Sequence, residues 1–301
     1  MKSRPCAALL ALLLPLATGA AAPPEFVVCH YNVRNYVDAK PAGPGQKYGT
    51  KAKPRAEVEA LIQIIKEIDP DILGVCEMGS RERFEDFKHR LTAAGLEYPD
   101  SEYLEAADED RHLALVSRFP IVARQSRADV PYELNGQVQK VKRGILDVTV
   151  QVNAAYQLRL VGVHLKSKLP TLDGEALIRR HEAQELRRHL DQILTSAPQT
   201  NLVCYGDFND SKDQPMFREV SGVRGTPTYL DDLPAKDALG DRWTHHWTVA
   251  DEYTRIDYLF VSPALLPEVV KEKSRVFRGE NWAKASDHRA VYTSIVPLDR
   301  K

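Results

Sequence analysis

Several short apolar runs in this sequence end in residues that can bind a metal ion or transfer a proton. The six run ends carry Asn32, Glu77, His164, Asp207 with Asn209, Asp257, and Asp287 with His288. Burying charged groups is costly unless a metal ion or a partner compensates them. Six such ends in one chain therefore indicate a shared site.

The residue types at these ends restrict the chemistry. Carboxylate and amide oxygens are hard ligands that suit Mg²⁺ or Mn²⁺, and Mg²⁺ completes its shell with water and substrate phosphate. Two histidines can supply an acid and a base near neutral pH. The sequence contains neither a Gly-x-Ser-x-Gly elbow nor a phosphate-binding P-loop, so serine-hydrolase and nucleotide-switch functions lack their motifs.

The elements that must position these residues alternate between strands and helices. Apolar, β-branched runs predict strands at Phe26–Asn32, Ile72–Glu77, Leu113–Ser117, Gly144–Val152, Tyr156–His164, Leu202–Asp207, Ile256–Val261 and Ala290–Val296. Apolar stripes predict helices over Pro54–Ile68, Arg81–Ala94 and Glu175–Leu194. Because a hairpin between Gln151 and Tyr156 accompanies the β-α-β units, the pattern favours an α/β fold of layered sheets with helices outside.

The N-terminus has the composition of a secretory signal. Lys2 and Arg4 precede a short apolar run, and small residues follow it as far as Ala22. We therefore expect residues 1–22 to be cleaved, residues 23–301 to form one catalytic domain, and the protein to be secreted or periplasmic. The apolar run is too short to span a bilayer, which needs about 20 residues, so no stable membrane anchor is expected.

Charge and cysteine content exclude two further classes of protein. Removing residues 1–22 leaves 39 basic and 42 acidic residues, a net charge of −3, which argues against a protein that coats nucleic acid by bulk charge. Cys29, Cys76 and Cys204 are an odd number and sit in apolar runs without Cys-x-x-Cys spacing. They are predicted to be free thiols in the core.

The order of the motifs resembles the endonuclease/exonuclease/phosphatase superfamily, which has the deoxyribonuclease-I-like fold. The resemblance rests on Asn32, Val75-Cys76-Glu77, Val163-His164, Gly206-Asp207-Phe208-Asn209, Arg255-Ile256-Asp257-Tyr258 and Ser286-Asp287-His288. It implies a four-layer sandwich of two packed mixed sheets flanked by helices, with the active site at one end. A monomer is expected.

The resemblance also implies a metal and phosphate site. Glu77 would be the main ligand of Mg²⁺ or Mn²⁺, with Asn32 beside it and Asp287 close to the ion. Asn209 would hold a phosphate oxygen. Arg143, in Lys142-Arg143-Gly144, matches a basic residue that contacts the substrate phosphate.

The remaining roles implied by the resemblance concern proton transfer. His288 would contact the scissile phosphate and help activate water, oriented by Asp257. Asp207 would position or deprotonate that water, and His164 would be the general acid for the leaving oxygen. The carboxylate that orients His164 is left open among Asp108, Glu109 and Asp110, which are equally explained as a solvated acidic turn.

Other polar residues have simpler explanations. His245 and His246 are expected to have a loop role, because adjacent residues rarely point at one ion. His181 and His189 are expected at the surface, as is the basic helix face, although Arg180 could reach toward the site. The members of that face are Arg179, Arg180, Arg187 and Arg188. Lys166 and Lys168 follow His164 and are either substrate contacts or exposed lysines.

Three functions remain on sequence grounds. The first is a metal-dependent nuclease or other phosphodiesterase with a phosphoester substrate, nucleic acid being the leading candidate. The second is a phosphatase or phosphodiesterase that acts on lipid headgroups, inositol phosphates or small molecules, which a near-neutral charge allows. The third, a non-catalytic binding module, is disfavoured because the set of site residues is complete. Fold and motifs do not separate the first two, since substrate choice depends on loops.

Overall fold

Two six-stranded sheets form the middle of the fold. The computed structural model describes residues 24–42 and 49–298, so the predicted signal segment, residues 1–22, lies outside the described residues. The strands in the described ranges are β1 (Phe26–Tyr36), β2 (Ile72–Met78), β3 (Asp100–Leu104), β4 (His112–Ser117), β5 (Ile121–Arg124), β6 (Pro131–Leu134), β7 (Gln137–Lys140), β8 (Leu146–Asn153), β9 (Tyr156–His164), β10 (Leu202–Asp207), β11 (Asp231–Asp232), β12 (His245–Trp247), β13 (Glu252–Thr254), β14 (Asp257–Val261), β15 (Val269–Val276) and β16 (Val291–Ile295).

The first sheet has the order β15-β16-β1-β2-β4-β3 and the second has β11-β14-β10-β9-β8-β5. Each sheet is mixed, because β1 and β2 run parallel, as do β9 and β10, among otherwise antiparallel neighbours. The pairs β6-β7 and β12-β13 are separate hairpins. The predicted turn between Gln151 and Tyr156 is confirmed as the β8-β9 hairpin.

Helices cover the outer faces of both sheets. They are α1 (Arg55–Ile68), α2 (Arg81–Ala93), α3 (Glu175–Ser196), α4 (Pro215–Ser221) and the single turn α5 (Trp282–Ala285). One apolar cluster joins α1 and α2 to the first sheet, a second joins α3 and α4 to the other sheet, and a third fills the space between the sheets. The predicted four-layer sandwich is therefore confirmed. None of the helices in the described ranges is long and apolar enough to cross a membrane.

The side chains of each central strand alternate between two apolar layers. Val28 belongs to the cluster between the sheets, whereas Cys29 belongs to the cluster under the helices. Cys29, Cys76 and Cys204 are free and buried, which confirms the core prediction. These alternating layers give each inner strand an apolar environment on both faces, which explains the continuous apolar runs in the sequence.

Tyr205 shows how closely the two sheets approach each other. A Cβ atom added at Gly74 of the first sheet would lie 2.1 Å from the Tyr205 ring. One added at Gly162, on the neighbouring strand of Tyr205, would lie 2.6 Å from its hydroxyl oxygen. The two glycines therefore make room for one aromatic ring between the sheets, directly behind the strand ends that carry the polar residues.

Candidate active site

The strand ends of both sheets meet at one edge of the sandwich. In the second sheet, Asp207 at the end of β10 pairs with His164 at the end of the parallel strand β9 and with Asp257 at the start of the antiparallel strand β14. In the first sheet, Asn32 on β1 pairs with Cys76 of β2, the residue before Glu77. The register thus brings the predicted residues of both sheets to a common edge.

The side chain of Asn32 joins the two sheets at this edge. Its Nδ2 atom donates to Asp207 Oδ2 at 3.0 Å and to Glu77 Oε1 at 3.2 Å. It also lies 3.4 Å from His288 Nε2. Asn32 and Asp207 are almost completely buried, so a single buried amide holds carboxylates from both sheets.

His288 and Asp257 form a hydrogen-bonded pair within this group. His288 Nδ1 lies 2.8 Å from Asp257 Oδ2, and the other ring nitrogen, Nε2, lies 3.7 Å from Asp207 Oδ2. Burial opposes a charge on His288, but the Asp257 and Asp207 carboxylates raise its pKa to about 10. The expected orientation of His288 by Asp257 is present, with the Nε2 edge turned toward Asp207.

Asp207, in contrast to His288, is shifted toward its neutral form. Burial raises the pKa of Asp207 to about 7, against the lowering effect of His288, and the nearby Asp257 adds to the rise. Its Oδ1 atom accepts a hydrogen bond of 2.9 Å from the backbone N–H of Asn209. A carboxyl group whose pKa lies near neutrality suits the exchange of a proton with water.

Glu77 reaches the edge through an irregular backbone. Its φ angle is 61°, in the left-handed region, and the pairing of β2 with β4 shifts register between Cys76 and Met78. Bulges of this kind re-aim side chains and are common beside active sites. Glu77 Oε2 accepts a hydrogen bond of 2.8 Å from the backbone N–H of Asn35, which fixes the redirected side chain.

The oxygen atoms at this edge fit a hard divalent cation. Glu77 and Asp207 both present carboxylate oxygens to Asn32, and the negative charge of Glu77 adds to the rise in the pKa of Asp207. Asp207, Asp257 and His288 also offer ligand atoms within 4.8 Å of one another. Both oxygens of Asp257 contact imidazole rings, whereas those of Asp207 accept hydrogen bonds from the Asn32 amide and the backbone N–H of Asn209. An ion bound by Asp207 would therefore share a carboxylate that already accepts hydrogen bonds.

Asp287 lies beside this group and not within it. Its carboxylate is 31% exposed and 3.5 Å from Arg34 Nε. The backbone N–H of Arg34 in turn donates to Asn32 Oδ1 at 2.9 Å. The structure therefore connects Asp287 to the predicted ligands through Arg34, and its direct metal role stays a prediction.

Arg143, His164 and Asn209 lie on the second-sheet side of the pocket. Arg143 is buried, and its Nη1 atom has no hydrogen-bond partner among the described residues. His164 Nε2 lies 3.5 Å from Asp207 Oδ2. Asn209 has a φ angle of 53° and donates from Nδ2 to the Leu165 carbonyl at 3.0 Å. A buried guanidinium with a free N–H is suited to binding an anion. We call Arg143, His164 and Asn209 the anion-binding corner.

The environment of His164 disfavours its charged form. Burial, followed by the positive charges of Arg143 and His288, lowers the pKa of His164 well below its ordinary value. A bound phosphate would oppose this shift, because its negative charge favours the imidazolium form. The predicted role of His164 as general acid therefore depends on the substrate anion.

None of the three acidic candidates hydrogen-bonds to His164, whose Nδ1 atom has no partner in the described ranges. Asp108 instead forms an ion pair with Arg143, with Nε and Oδ2 3.0 Å apart. Asp110 pairs with Lys40, and Glu109 is exposed. Asp108 thus contributes to the site by holding the arginine.

A family model described as the endonuclease/exonuclease/phosphatase family matches residues 29–288, a span that contains all the site residues above. The chain belongs to the endonuclease/exonuclease/phosphatase family. Members of this family hydrolyse phosphoester bonds and use divalent metals, so the chain is a phosphoric ester hydrolase. No curated protein matches its sequence.

Several solved structures share the fold of this chain. The endonuclease/exonuclease/phosphatase from Beutenbergia cavernae is 20% identical, with 91% of this chain and 72% of that chain covered and a TM-score of 0.64. The human nocturnin catalytic domain with bound sulfate is 19% identical, with coverages of 90% and 94% and a TM-score of 0.61. Sphingomyelinase C from Streptomyces griseocarneus is 14% identical, with coverages of 90% and 99% and a TM-score of 0.60.

Sequence reasoning missed His30, which stands beside the central pair of this family member. His30 Nε2 lies 3.2 Å from Asp257 Oδ1, so each oxygen of that carboxylate contacts a different imidazole. Although burial opposes ionisation, the two histidines hold the pKa of Asp257 well below its ordinary value. The signal was present, because His30 precedes Asn32 by two residues and therefore shares its face of β1.

Glu182 on α3 was also missed. Its two carboxylate oxygens accept hydrogen bonds from the backbone N–H groups of Lys142, at 3.2 Å, and Lys166, at 2.6 Å. Lys142 directly precedes Arg143, and Lys166 follows His164 by two residues. One buried carboxylate therefore holds both segments of the anion-binding corner. Burial raises the pKa of Glu182, against the lowering effect of Arg143 and the two backbone N–H groups.

Several expectations for the basic helix face were wrong. Arg179 is buried and donates to Asp210 Oδ2 at 3.1 Å. Arg187 is buried beside Val220, and His189 is buried against Asp147. The reason is that each of these side chains meets a different neighbour of α3: His189 faces β8, Arg179 faces the segments after β9 and β10, and Arg187 faces α4. Arg180 remains half-exposed and pairs with Glu219.

The two adjacent histidines lie on the short strand β12 and do not form a metal pair. The His245 ring packs against His288 with centroids 4.6 Å apart, whereas His246 stacks on Tyr253 at 4.1 Å. The rings therefore face opposite sides of the strand. Lys168 is exposed, and the Lys166 ammonium group bonds to the carbonyls of Ser167 and Leu169.

Proposed function

We propose that this enzyme is a secreted or periplasmic phosphodiesterase that requires a divalent metal and cleaves nucleic acid as a monomer. The carrying observation is the Asn32 amide, which holds Glu77 and Asp207 together beside the His288–Asp257 pair. Oxygen ligands, an acid–base pair and a buried arginine are the groups that phosphoester hydrolysis requires.

The side chains divide the reaction between them. Arg143 binds a non-bridging phosphate oxygen, and Asn209 assists it with the second N–H of its amide. Asp207 accepts the proton of the attacking water, for which its raised pKa is suited. His288, held by Asp257, donates a hydrogen bond to the phosphate from Nε2, and His164 protonates the leaving oxygen.

The carboxylate of Glu77 and the amide oxygen of Asn32 would hold the metal ion, and Asp287 would lie nearby. When bound, Mg²⁺ or Mn²⁺ would neutralise charge that develops on the phosphoryl oxygens. The remaining steps belong to the side chains named above, which bind the phosphate, orient the attacking water and hold the protons that move.

A metal-dependence assay tests the proposal. We expect hydrolysis of bis(p-nitrophenyl) phosphate and plasmid DNA with Mg²⁺ or Mn²⁺, loss of activity in EDTA, and recovery when the ion is restored. Glu77→Gln should weaken the activating effect of the metal by at least about 100-fold. Glu59→Gln makes the same chemical change on the exposed side of α1 and should have no effect.

Two further measurements address substrate and location. A panel of DNA, RNA, sphingomyelin and phosphorylated inositols should show preference for a nucleic acid; preference for another member would replace the proposed substrate.

N-terminal sequencing of the exported protein should find a first residue near position 23. In the metal-dependence assay, full activity in EDTA would reject the metal role.

A further inference from the structure

The hairpin formed by β12 and β13 carries an exposed tryptophan beside the active centre. Its base is fixed to the catalytic residues, because Thr244 Oγ1 accepts a hydrogen bond of 3.0 Å from the backbone N–H of Asp257. The backbone N–H of His246 donates to the Asp287 carbonyl at 2.9 Å. Trp247, at the outer end of β12, is 51% exposed.

The strand geometry determines which way Trp247 faces. Residues two apart on a strand share a face and lie about 7 Å apart, so Trp247 shares the face of His245. The His245 ring packs on His288 with centroids 4.6 Å apart. The Trp247 indole therefore lies on the same face of the hairpin as the His245 ring, which contacts His288.

The opposite face of the hairpin is already filled. His246 stacks on Tyr253 with ring centroids 4.1 Å apart, and Trp243 packs on Tyr253 at 4.8 Å. In the described ranges no aromatic ring or cation packs against Trp247. Its cross-strand partner is the exposed Glu252, so one side of a large planar ring is left open next to the reaction centre.

We propose that Trp247 is a stacking subsite for a nucleobase of the substrate; the inference rests on the proposed phosphodiesterase function. Aromatic side chains hold single-stranded nucleic acid by stacking on bases. The near balance of charge over the whole chain makes such a contact more important than a basic groove. Exposed Asp251 and Glu252 beside the indole disfavour a second phosphate or an anionic membrane there, whereas a neutral base fits.

Two esters with the same leaving group test the subsite. They are the p-nitrophenyl phosphodiesters of thymidine, which carries a base, and of methanol, which does not. Trp247→Ala should lower kcat/KM about tenfold for the thymidine ester and leave the methyl ester unchanged. Trp247→Phe should retain most of the activity on both. Val249→Ser, an exposed apolar residue at the tip of the same hairpin, is the matched control and should change neither.

The outcomes separate this inference from the proposed function. Equal loss on both esters, or no loss on either, would overturn the base subsite while leaving the phosphodiesterase intact. If wild-type protein cleaves neither ester, the proposed function fails. In that case, the fluorescence anisotropy of fluorescein-labelled oligothymidylate still tests the subsite, because Trp247→Ala should abolish binding that the wild type shows. Binding to phosphatidylcholine vesicles that depends on Trp247 would instead indicate a lipid contact and would overturn the inference.

Discussion

Two regions of this molecule bury an aspartate against a histidine at the same distance, yet they are built for different purposes. In the active centre, His288 Nδ1 lies 2.8 Å from Asp257; in the second sheet, His189 Nε2 lies 2.8 Å from Asp147. Asp147 also receives two hydrogen bonds from Arg159, at 2.8 and 2.6 Å. We call Asp147, Arg159 and His189 the Asp147 group.

The difference between the regions is the balance of charge. In the Asp147 group one carboxylate faces an arginine and a histidine, and although burial opposes ionisation, their hydrogen bonds hold the pKa of Asp147 below its ordinary value. In the active centre Asp207 has no arginine or lysine partner among the described residues, and burial raises its pKa. A buried carboxylate paired with an arginine stabilises the fold. One without such a partner is available for a metal ion or a proton.

The largest expected effect that sharpens this comparison is on catalysis. Asp207→Asn should lower kcat about 1000-fold, because a proton acceptor is lost, while the melting temperature stays equal or rises once a poorly compensated charge is removed. Turnover of bis(p-nitrophenyl) phosphate and thermal unfolding in EDTA measure the two effects. A fall in melting temperature as large as that of an Asp147 variant would erase the distinction between the regions.

The converse effect is on stability. Asp147→Asn should lower the free energy of unfolding by about 3 kcal/mol, because Arg159 loses its buried partner, with kcat changed less than twofold. Since the native pKa of Asp147 is lowered, its stabilisation is complete above about pH 4 and is lost as the pH falls through the native value. Urea unfolding of both proteins at pH 7 and pH 3 should show the difference narrowing in acid. A constant difference would contradict the ionised-pair explanation.

A smaller effect is expected from His30, which contacts Asp257 in the active centre. His30 anchors the second oxygen of Asp257, so His30→Ala should lower kcat about tenfold with little change in KM. His30→Gln retains an N–H donor and should recover most of the loss. A purely structural role would instead lower stability without rescue by glutamine, which urea unfolding of both variants would detect.

The smallest effect belongs to an exposed pair that lies in neither region. Arg180 Nε lies 2.9 Å from Glu219 Oε1, and its side chain is 51% exposed. Arg180→Ala should change the free energy of unfolding by about 0.5 kcal/mol or less and leave turnover unchanged. A tenfold loss of activity would revive the idea that Arg180 reaches the substrate.

The residues predicted from sequence were those whose position follows from local pattern. His164 and Asp207 end neighbouring parallel strands, and such strand ends meet at one edge of a sheet. The residues that escaped prediction depend on contacts distant in the chain. His189 meets Asp147 across 42 residues, and Glu182 is buried because it faces two loops, not because of its helix. The roles of the site residues in catalysis stay predictions until the variants are measured.

The Asn32 amide has a consequence for how this enzyme tolerates change. Because one side chain ties the first sheet to the second at this edge, a change in the packing between the sheets would alter the distances among the candidate site residues. The apolar cluster between the two sheets therefore determines how the site residues are positioned. Leu259 is fully buried in that cluster and lies two residues after Asp257 on β14. A smaller residue at position 259 would therefore lower both turnover and stability.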